Sequence, residues 1–351
     1  MSTFHLLKIK DIKRETPEAV SIAFDVPALL ADLYNFTAGQ YINIKTIFEG
    51  EEIRKAYSIC SAPGSGELRV AIKAVKNGGF SKFANEKLVV GDSMEVGTPE
   101  GTFTFEPKPD RQRNYAAFAA GSGITPVLAI IQSVLEGEPE STFVLVYGNK
   151  SPQDTIFHDF LHELQQKYVG RFFVQFVYSK AREEGSLFGR IERSTVNFVI
   201  MNKHKEKEFS KFYLCGPEEM ILTVNEVLKE KNVPEKNIKF ELFSTPIAEK
   251  KKVEENLDGQ TKITVLVDDE ETTFVMSQQM TVLDAALKQG VDAPYSCQGG
   301  ICSSCMARIT NGKAVMRKNA ILTDGEIAEG LVLTCQAHPT TPEIYVDFDD
   351  V

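Results

Sequence analysis

Three of the six cysteines in this 351-residue chain, Cys297, Cys302 and Cys305, fall within nine residues of the stretch YSCQGGICSSCMARI. No other feature restricts the fold so tightly. The spacing is C-x4-C-x2-C, and a fourth cysteine, Cys335, follows in VLTCQAHP. Thiolates are soft ligands that suit iron–sulfur clusters, and the pattern matches the plant-type 2Fe-2S arrangement in which four thiolates hold two irons. Three ligands from one loop need a tight wrap, which Gly299 and Gly300 permit, and backbone N–H groups there can donate to cluster sulfur. A structural zinc site and unrelated buried thiols are the alternatives. Zinc more often uses paired C-x2-C knuckles, and only one such pair is present. Cys60 and Cys215 lie outside the motif.

Composition limits the partners. A formal net charge of −10 disfavours nucleic acid and anionic membrane surfaces, because phosphate binding needs a surplus of Lys and Arg on some face. The N-terminal MSTFHLLKIKDIKRETPEA lacks the apolar core of a secretory signal, and no apolar run approaches the length of a membrane span. The expectation is a cytoplasmic protein without membrane contact, whose thiols stay reduced and bind metal rather than form disulfides.

The length argues for two or three domains, and three textures follow one another. In residues 1–107 short β-rich runs (AVSIAFDV, QYINIKTIF, ELRVAIKAV, SMEVGTP) alternate with Gly, Pro and Asn turns, as in an antiparallel barrel or sandwich. Polar, proline-bearing PKPDRQRN marks a boundary. Residues 108–245 alternate strands (YAAFAA, TFVLVYG, RFFVQFVYS, KFYLCG, IKFELF) with helices. One helix is expected from the spacing of Phe157, Phe160, Leu161, Leu164 and Tyr168, and another from PEEMILTVNEVLKE, which opens on proline and two glutamates. Such alternation argues for a parallel nucleotide-binding sheet. Residues 246–260 read as a charged linker, and residues 261–351, with a hairpin (KITVLVD, TTFVM) and a helix ended by Gly290, as a mixed α and β module holding the cysteines.

Two loops add chemistry. AAGSGITPVLAI places Gly121 and Gly123 after an apolar strand and Pro126 at a helix start, a turn that lets backbone approach a nucleotide while the helix N-terminus faces its phosphates. Alone it is equally a tight strand-to-helix turn. YLCGPEEM ends another parallel strand with Cys215, Gly216 and Pro217. Ligands of open parallel sheets gather at carboxyl ends, so both loops can border one cleft; by itself Cys215 reads as a small buried hydrophobe.

Taken in order, AYSICSAP, NGGFSKFA, AAGSGITP, YLCGPEEM and CQGGICSSC resemble the ferredoxin–NADP reductase superfamily with a C-terminal ferredoxin module. The resemblance covers essentially the whole chain. It implies an FAD-binding β-barrel, an α/β parallel-sheet NAD(P)H domain and a β-grasp 2Fe-2S domain. The flavin motif R-x-Y-S of the family corresponds to Lys55, Ala56, Tyr57 and Ser58, with Tyr57 against the flavin ring and Ser58 near the hydride-accepting nitrogen. Arg54 stands beside Lys55, and lysine lacks the bidentate fork of the expected arginine. Gly78, Gly79 and Ser81 correspond to the pyrophosphate cradle, although the stretch alone is a glycine turn. Gly121, Thr125 and Pro126 correspond to the nicotinamide site, with Cys215 near the reactive carbon. Glu241 and Phe243 correspond to the segment closing the reductase module beside the flavin, and otherwise to an ordinary edge strand. Ser179 and Lys180 stand where NADP-dependent relatives place a Ser-Arg pair for the 2′-phosphate, which favours NADPH over NADH.

The implied function is electron transfer from NADPH through FAD and a 2Fe-2S cluster to an oxygenase partner. By resemblance that partner is a di-iron enzyme acting on an aromatic CoA thioester. Reductase components of steroid-ring and aromatic-ring oxygenases share this domain order, so a different oxygenase is one alternative; the other is a redox-sensing interaction module with a vestigial reductase half, to which only the Lys55 departure points. The helical pair His158 and His162 reads as a polar face, and His338 follows Cys335 without being required by it.

Overall fold

The computed structural model describes residues 3–48, 50–76, 78–243 and 259–351. Asn77, the boundary expected at 245, and all of the expected linker up to residue 258 lie outside them. The chain divides into two compact units, Phe4–Phe243 and a C-terminal one.

The first unit begins with strands β1 (Phe4–Thr16), β2 (Ala19–Asp25), β3 (Tyr41–Phe48), β4 (Glu51–Ser58), β5 (Leu68–Lys73) and β6 (Ser93–Gly97). They pair in the order β4-β3-β6-β1-β2-β5, every contact antiparallel. A bridge between Ile59 and Val70 joins the two outer strands, closing the sheet into a barrel and removing its free edges. Leu7, Ile22, Ile42, Ile44, Val70 and Ile72 fill the interior. Helix α1 (Gly79–Glu86) turns Phe80 and Ala84 into that core.

Six further strands are parallel: β7 (Asn114–Ala120), β8 (Thr142–Asn149), β9 (Phe172–Tyr178), the two-residue β10 (Leu187–Phe188), β11 (Phe209–Gly216) and β12 (Ile238–Leu242). Their order, β10-β9-β8-β7-β11-β12, reverses between β7 and β11, and such a switch point opens a crevice at the carboxyl ends. The helices are α2 (Ile124–Gly137), α3 (His158–Lys167), the short α4 (Arg193–Asn197) and α5 (Glu218–Glu230). Buried Val127, Leu128, Ile130, Ile131 and Val134 of α2 join Tyr115, Phe143 and Tyr213 of the sheet in one core. Helix α3 begins later than its periodicity suggests, because Phe157 is left-handed (φ 61). Leu161 and Leu164 are buried while Phe160 faces out.

The second unit contains β13 (Gln260–Val267), β14 (Glu270–Ser277), α6 (Val282–Lys288), β15 (Met306–Asn311), β16 (Ala314–Met316), α7 (Asp324–Ala328), β17 (Leu331–Leu333), β18 (Ala337–Pro339) and β19 (Glu343–Asp347). Its main sheet runs β14-β13-β19-β15-β17. β13 and β19 are parallel, and the other pairs antiparallel. Thr281 caps α6 by accepting the Asp284 N–H, and Gly290 (φ +79) follows its end, as a left-handed C-terminal glycine does. The buried face of α6, Val282, Leu283, Ala285 and Ala286, lies on Ile263, Val265 and Val346 of the sheet. This helix grasped by a mixed sheet is the β-grasp arrangement. Among the described residues no helix is long and apolar enough to cross a membrane.

Candidate active site

Both glycine-bearing loops emerge at the switch point, and their backbones touch. A Cβ on Gly123 would lie 2.1 Å from the Cys215 carbonyl oxygen, and one on Gly216 would lie 3.1 Å from the Ala120 nitrogen. The carbonyl belongs to a paired strand and cannot rotate aside. Gly123→Ala is therefore expected to cost about 3 kcal/mol through forced separation of the loops, read as a lower urea midpoint with the m-value unchanged. A wild-type midpoint would show that the loops can part freely.

Gly121 is left-handed (φ +55), and its carbonyl accepts the Tyr147 hydroxyl at 2.9 Å, so a buried tyrosine from β8 fixes the first turn. Thr125 turns its hydroxyl back to the Ser122 carbonyl at 3.0 Å, and Pro126, in the first turn of α2, is buried. Lys73, at the end of β5, brings its Nζ to within 3.8 Å of a Gly121 Cβ position. Neither Tyr147 nor Lys73 stands out in the sequence. The only signal for Lys73 is its place just ahead of the NGG turn.

Strand β4 sorts its own residues. Side chains alternate across a strand, so Lys55 and Tyr57 share a face, opposite Ile44 and Ile42 on β3, while Arg54 lies opposite Lys45 on the other. Arg54 pairs with Glu52 at 2.9 Å and lies over the Phe4 ring. Lys55 is thus the cation on the Tyr57 face, and Arg54 lies on the opposite face of the same strand. Tyr57 is half-buried against Phe80, with ring centroids 6.1 Å apart. Burial raises its phenol pKa, so the ring is neutral. Gly78 caps α1, and Gly79 begins it. The first N–H groups of such a helix lack partners within it and suit an anion. Ser81 accepts the Val75 N–H at 3.2 Å and so shapes the turn before them.

Ser58, Cys215 and Glu241 come together from three strands. Glu241 on β12 pairs in register with Cys215 on β11, and the Ser58 hydroxyl donates to the Glu241 carboxylate at 3.2 Å. Burial pushes the Glu241 carboxyl up to about 8, against a smaller opposing effect of the Ser58 bond. Cys215 is fully buried, and its thiol is raised by that burial and then by Glu241. Both groups are therefore protonated at neutral pH. Pro217 caps α5, whose first turn holds Glu218 and Glu219. Phe243 follows β12 and is exposed. At the carboxyl end of β9, Ser179 donates its N–H to the Asn149 carbonyl and Lys180 its own to the Lys150 carbonyl. The Lys180 side chain is exposed.

In the second unit the four cysteines converge. Cys305 immediately precedes β15, and Cys335 follows β17, its pairing partner. The Thr334 N–H and hydroxyl both bond the Cys305 carbonyl, at 3.0 and 2.9 Å. Gly300 is left-handed (φ +70) and packed against the Lys318 carbonyl, and the Gly299 N–H points at the Cys297 sulfur, 3.4 Å away. The Cys302 thiol donates to Cys297 at 3.1 Å, which together with Cys335 holds Cys297 below the ordinary thiol range. No three His, Cys, Asp or Glu among the described residues are spaced as ligands of an ion. The sulfurs touch directly, closer than the roughly 3.8 Å that separates two thiolates on one tetrahedral ion with 2.3 Å bonds. An all-thiol donor set, a left-handed glycine and inward backbone N–H groups fit a 2Fe-2S cluster better than a hard cation. His338 is buried and bonds the Gln278 carbonyl through Nδ1, outside this donor set. His162 is exposed and His158 half-buried, and both rings lie against Phe176.

Three family profiles match in succession: an oxidoreductase FAD-binding domain over residues 6–105, an oxidoreductase NAD-binding domain over 118–226, and a 2Fe-2S iron-sulfur cluster binding domain over 265–340. The chain is 40% identical to a subunit of the 1,2-phenylacetyl-CoA epoxidase of Escherichia coli K12, covering 99% of each. It is 29% identical to the ferredoxin reductase component of 3-ketosteroid-9-alpha-monooxygenase from Rhodococcus rhodochrous, covering 98% of this chain and 96% of the other. Phthalate dioxygenase reductase shares the fold, with a TM-score of 0.59 at 22% identity over 98% of both chains.

Proposed function

The chain belongs to the ferredoxin–NADP reductase superfamily, among the oxygenase reductases with a C-terminal 2Fe-2S domain, and from this we propose that it carries electrons from NADPH to a phenylacetyl-CoA epoxidase-type di-iron monooxygenase. The observation that carries the reading is the junction of Ser58, Cys215 and Glu241 at the switch point of a sheet that shares one compact unit with the barrel. FAD, when bound, accepts a hydride and releases electrons singly, and a 2Fe-2S cluster holds one electron at a time.

The chain's own residues supply the setting. Tyr57 would offer a flat, uncharged face to the flavin ring. Lys55 and the first turn of α1, from Gly79 to Ser81 with Gly78 as its cap, would meet the FAD pyrophosphate. Gly121 and Gly123 would let the dinucleotide approach the start of α2, with Thr125 and Pro126 lining it and Gly216 and Pro217 bordering it. Ser58 and Glu241 would keep a proton between them beside the hydride path, and the neutral Cys215 thiol would fill the crevice without opposing a cationic nicotinamide. Phe243 would flank the ring. Cys297, Cys302, Cys305 and Cys335 would hold the irons. Residues 1–107, 108–245 and 261–351 would serve as the flavin, nucleotide and cluster domains, joined by a linker at 246–260 and working in the cytoplasm.

Anaerobic titration of the loaded protein with NADPH tests this. Flavin absorbance should bleach first and a reduced 2Fe-2S EPR signal should follow; bleaching with no signal in protein of full iron content defeats the proposal. Ser179 and Lys180 support NADPH as donor. Lys180→Ala should lower kcat/KM for NADPH about tenfold or more, the scale of one lost charged hydrogen bond, and leave NADH nearly unchanged. Equal loss with both nucleotides argues against a 2′-phosphate contact.

A further inference from the structure

A cavity of about 300 Å³ opens at the end of the nucleotide sheet opposite the redox junction, lined among others by Phe105, Arg111, Arg113, Lys211, Tyr213 and Asn237. Arg113 precedes β7, Lys211 stands near the start of β11, and Asn237 precedes β12. The cavity therefore lies at the amino ends of the strands whose carboxyl ends carry Gly121, Cys215 and Glu241. A seven-residue strand spans roughly 20 Å, so one dinucleotide at the switch point does not account for it.

Its charge is unbalanced. Arg111 is shared with the fully buried Glu138, 3.5 Å away. The remaining capacity of Glu138 is taken by the Lys108 N–H and the Tyr115 and Ser141 hydroxyls. Among the described residues, Arg113 and Lys211 have no ion pair. Glu106, the one lining carboxylate, is exposed and pairs with neither. Burial, then Arg111 and Arg113, lower the Lys211 pKa, as expected where cations face one another without an anion. The second observation is independent of charge: Tyr213 is fully buried, yet its hydroxyl has no hydrogen-bond partner. A buried hydroxyl without a partner costs stability and asks for a ligand acceptor.

We propose that this cavity binds the phosphate group of a small molecule, with Arg111, Arg113 and Lys211 as its cationic partners and the Tyr213 hydroxyl donating to a phosphate oxygen. Planar guanidinium groups suit phosphate oxygens, and the volume lies at the small end of ligand sites. Because residues 104–106 belong to the barrel side and the rest to the nucleotide sheet, the bound anion ties the two together.

The test uses the FAD- and cluster-loaded full chain saturated with NADP+, so that the dinucleotide phosphate sites are filled. Inorganic phosphate and glycerol 3-phosphate are titrated separately at constant ionic strength, with thermal midpoint and calorimetry as readouts. Saturable binding is expected. Lys211→Met and the exposed-site variant Arg113→Gln should each weaken it about tenfold. Tyr213→Phe should raise the midpoint without phosphate, by removing the unsatisfied hydroxyl, and weaken phosphate binding. Tighter binding of the ester identifies an organic phosphate, and equal binding the ion itself; both sustain the proposal. A matching response to chloride, or wild-type affinity in both Arg113→Gln and Tyr213→Phe, overturns it. So does an absence of binding, which leaves the face to an acidic protein partner.

Discussion

Cys302→Ser should abolish the reduced 2Fe-2S EPR signal and lower cytochrome c reduction about 100-fold, while NADPH-dependent ferricyanide reduction persists. The hydroxyl is a harder donor than the thiolate it replaces, and the site is 8% exposed, so water does not easily take the missing position. Loss of a ligand is at least as severe as loss of its supporting partners, which costs up to about 100-fold in metal affinity. Ferricyanide takes electrons from the flavin directly, and every flavin candidate lies in the other compact unit. Cys60→Ser is the control: Cys60 is buried in the first unit and donates to the Arg69 carbonyl, so the cluster signal should survive. If wild type reduces neither acceptor, the transfer reading fails and the sensing module takes its place.

Glu241→Gln should slow flavin reduction by NADPH by on the order of 100-fold, the low end of what a positioned proton-carrying group contributes. Glutamine keeps the volume and one acceptor oxygen for Ser58, but it cannot hold or release the proton that the carboxyl carries. The variant should also change the pH dependence of stability. Glu241 titrates near 8 in the folded chain against an ordinary 4.5, so between those values the native state holds a proton that the unfolded state has released. Stability therefore falls as pH rises from about 4.5 to about 8 and then levels off. This is the reverse of a salt-bridged carboxylate. The glutamine variant lacks that slope and should be the more stable protein at pH 9, by on the order of 3 kcal/mol after allowing for partial solvent contact. Denaturant midpoints at pH 5 and pH 9 decide it: parallel curves for the two proteins would mean that Glu241 is charged throughout.

The parallel sheet was legible because its strands are buried on both faces and read as continuous apolar runs. YAAFAA, TFVLVYG and KFYLCG leave no alternative. β1 and β4 were not legible. FHLLKIKDIKRET carries six charged side chains and shifts register at Ile9/Asp11 and again at Arg14/Thr16, so no single alternation runs through it. EEIRKAYS is polar at most positions, and only its pairing with β3 makes it a strand. The short strands β15 to β18 surround a loop whose course is set by Thr334 and Gly300, not by periodicity. Motif order pointed to Ser58, Cys215 and Glu241 and to the four cysteines, and the fold brings the members of each set together. That Arg54 and Lys55 occupy opposite faces of β4 shows only in the strand register, because the two are adjacent in sequence. Lys73 and Tyr147 become visible only when their elements are folded against the Gly121 turn.

The Ser58–Glu241 bond joins positions 183 residues apart, whereas the four cysteines span only 297 to 335. Closing the first loop carries a large entropic cost that nothing repays until β12 has been added beside β11. During synthesis the barrel can emerge and fold, but the Ser58–Cys215–Glu241 junction is not assembled until Glu241 has left the ribosome. The thiol nest then needs only a short stretch of nascent chain. The two clusters of side chains are thereby completed by different folding events, one when β12 joins β11 in the first unit and the other within the second unit alone.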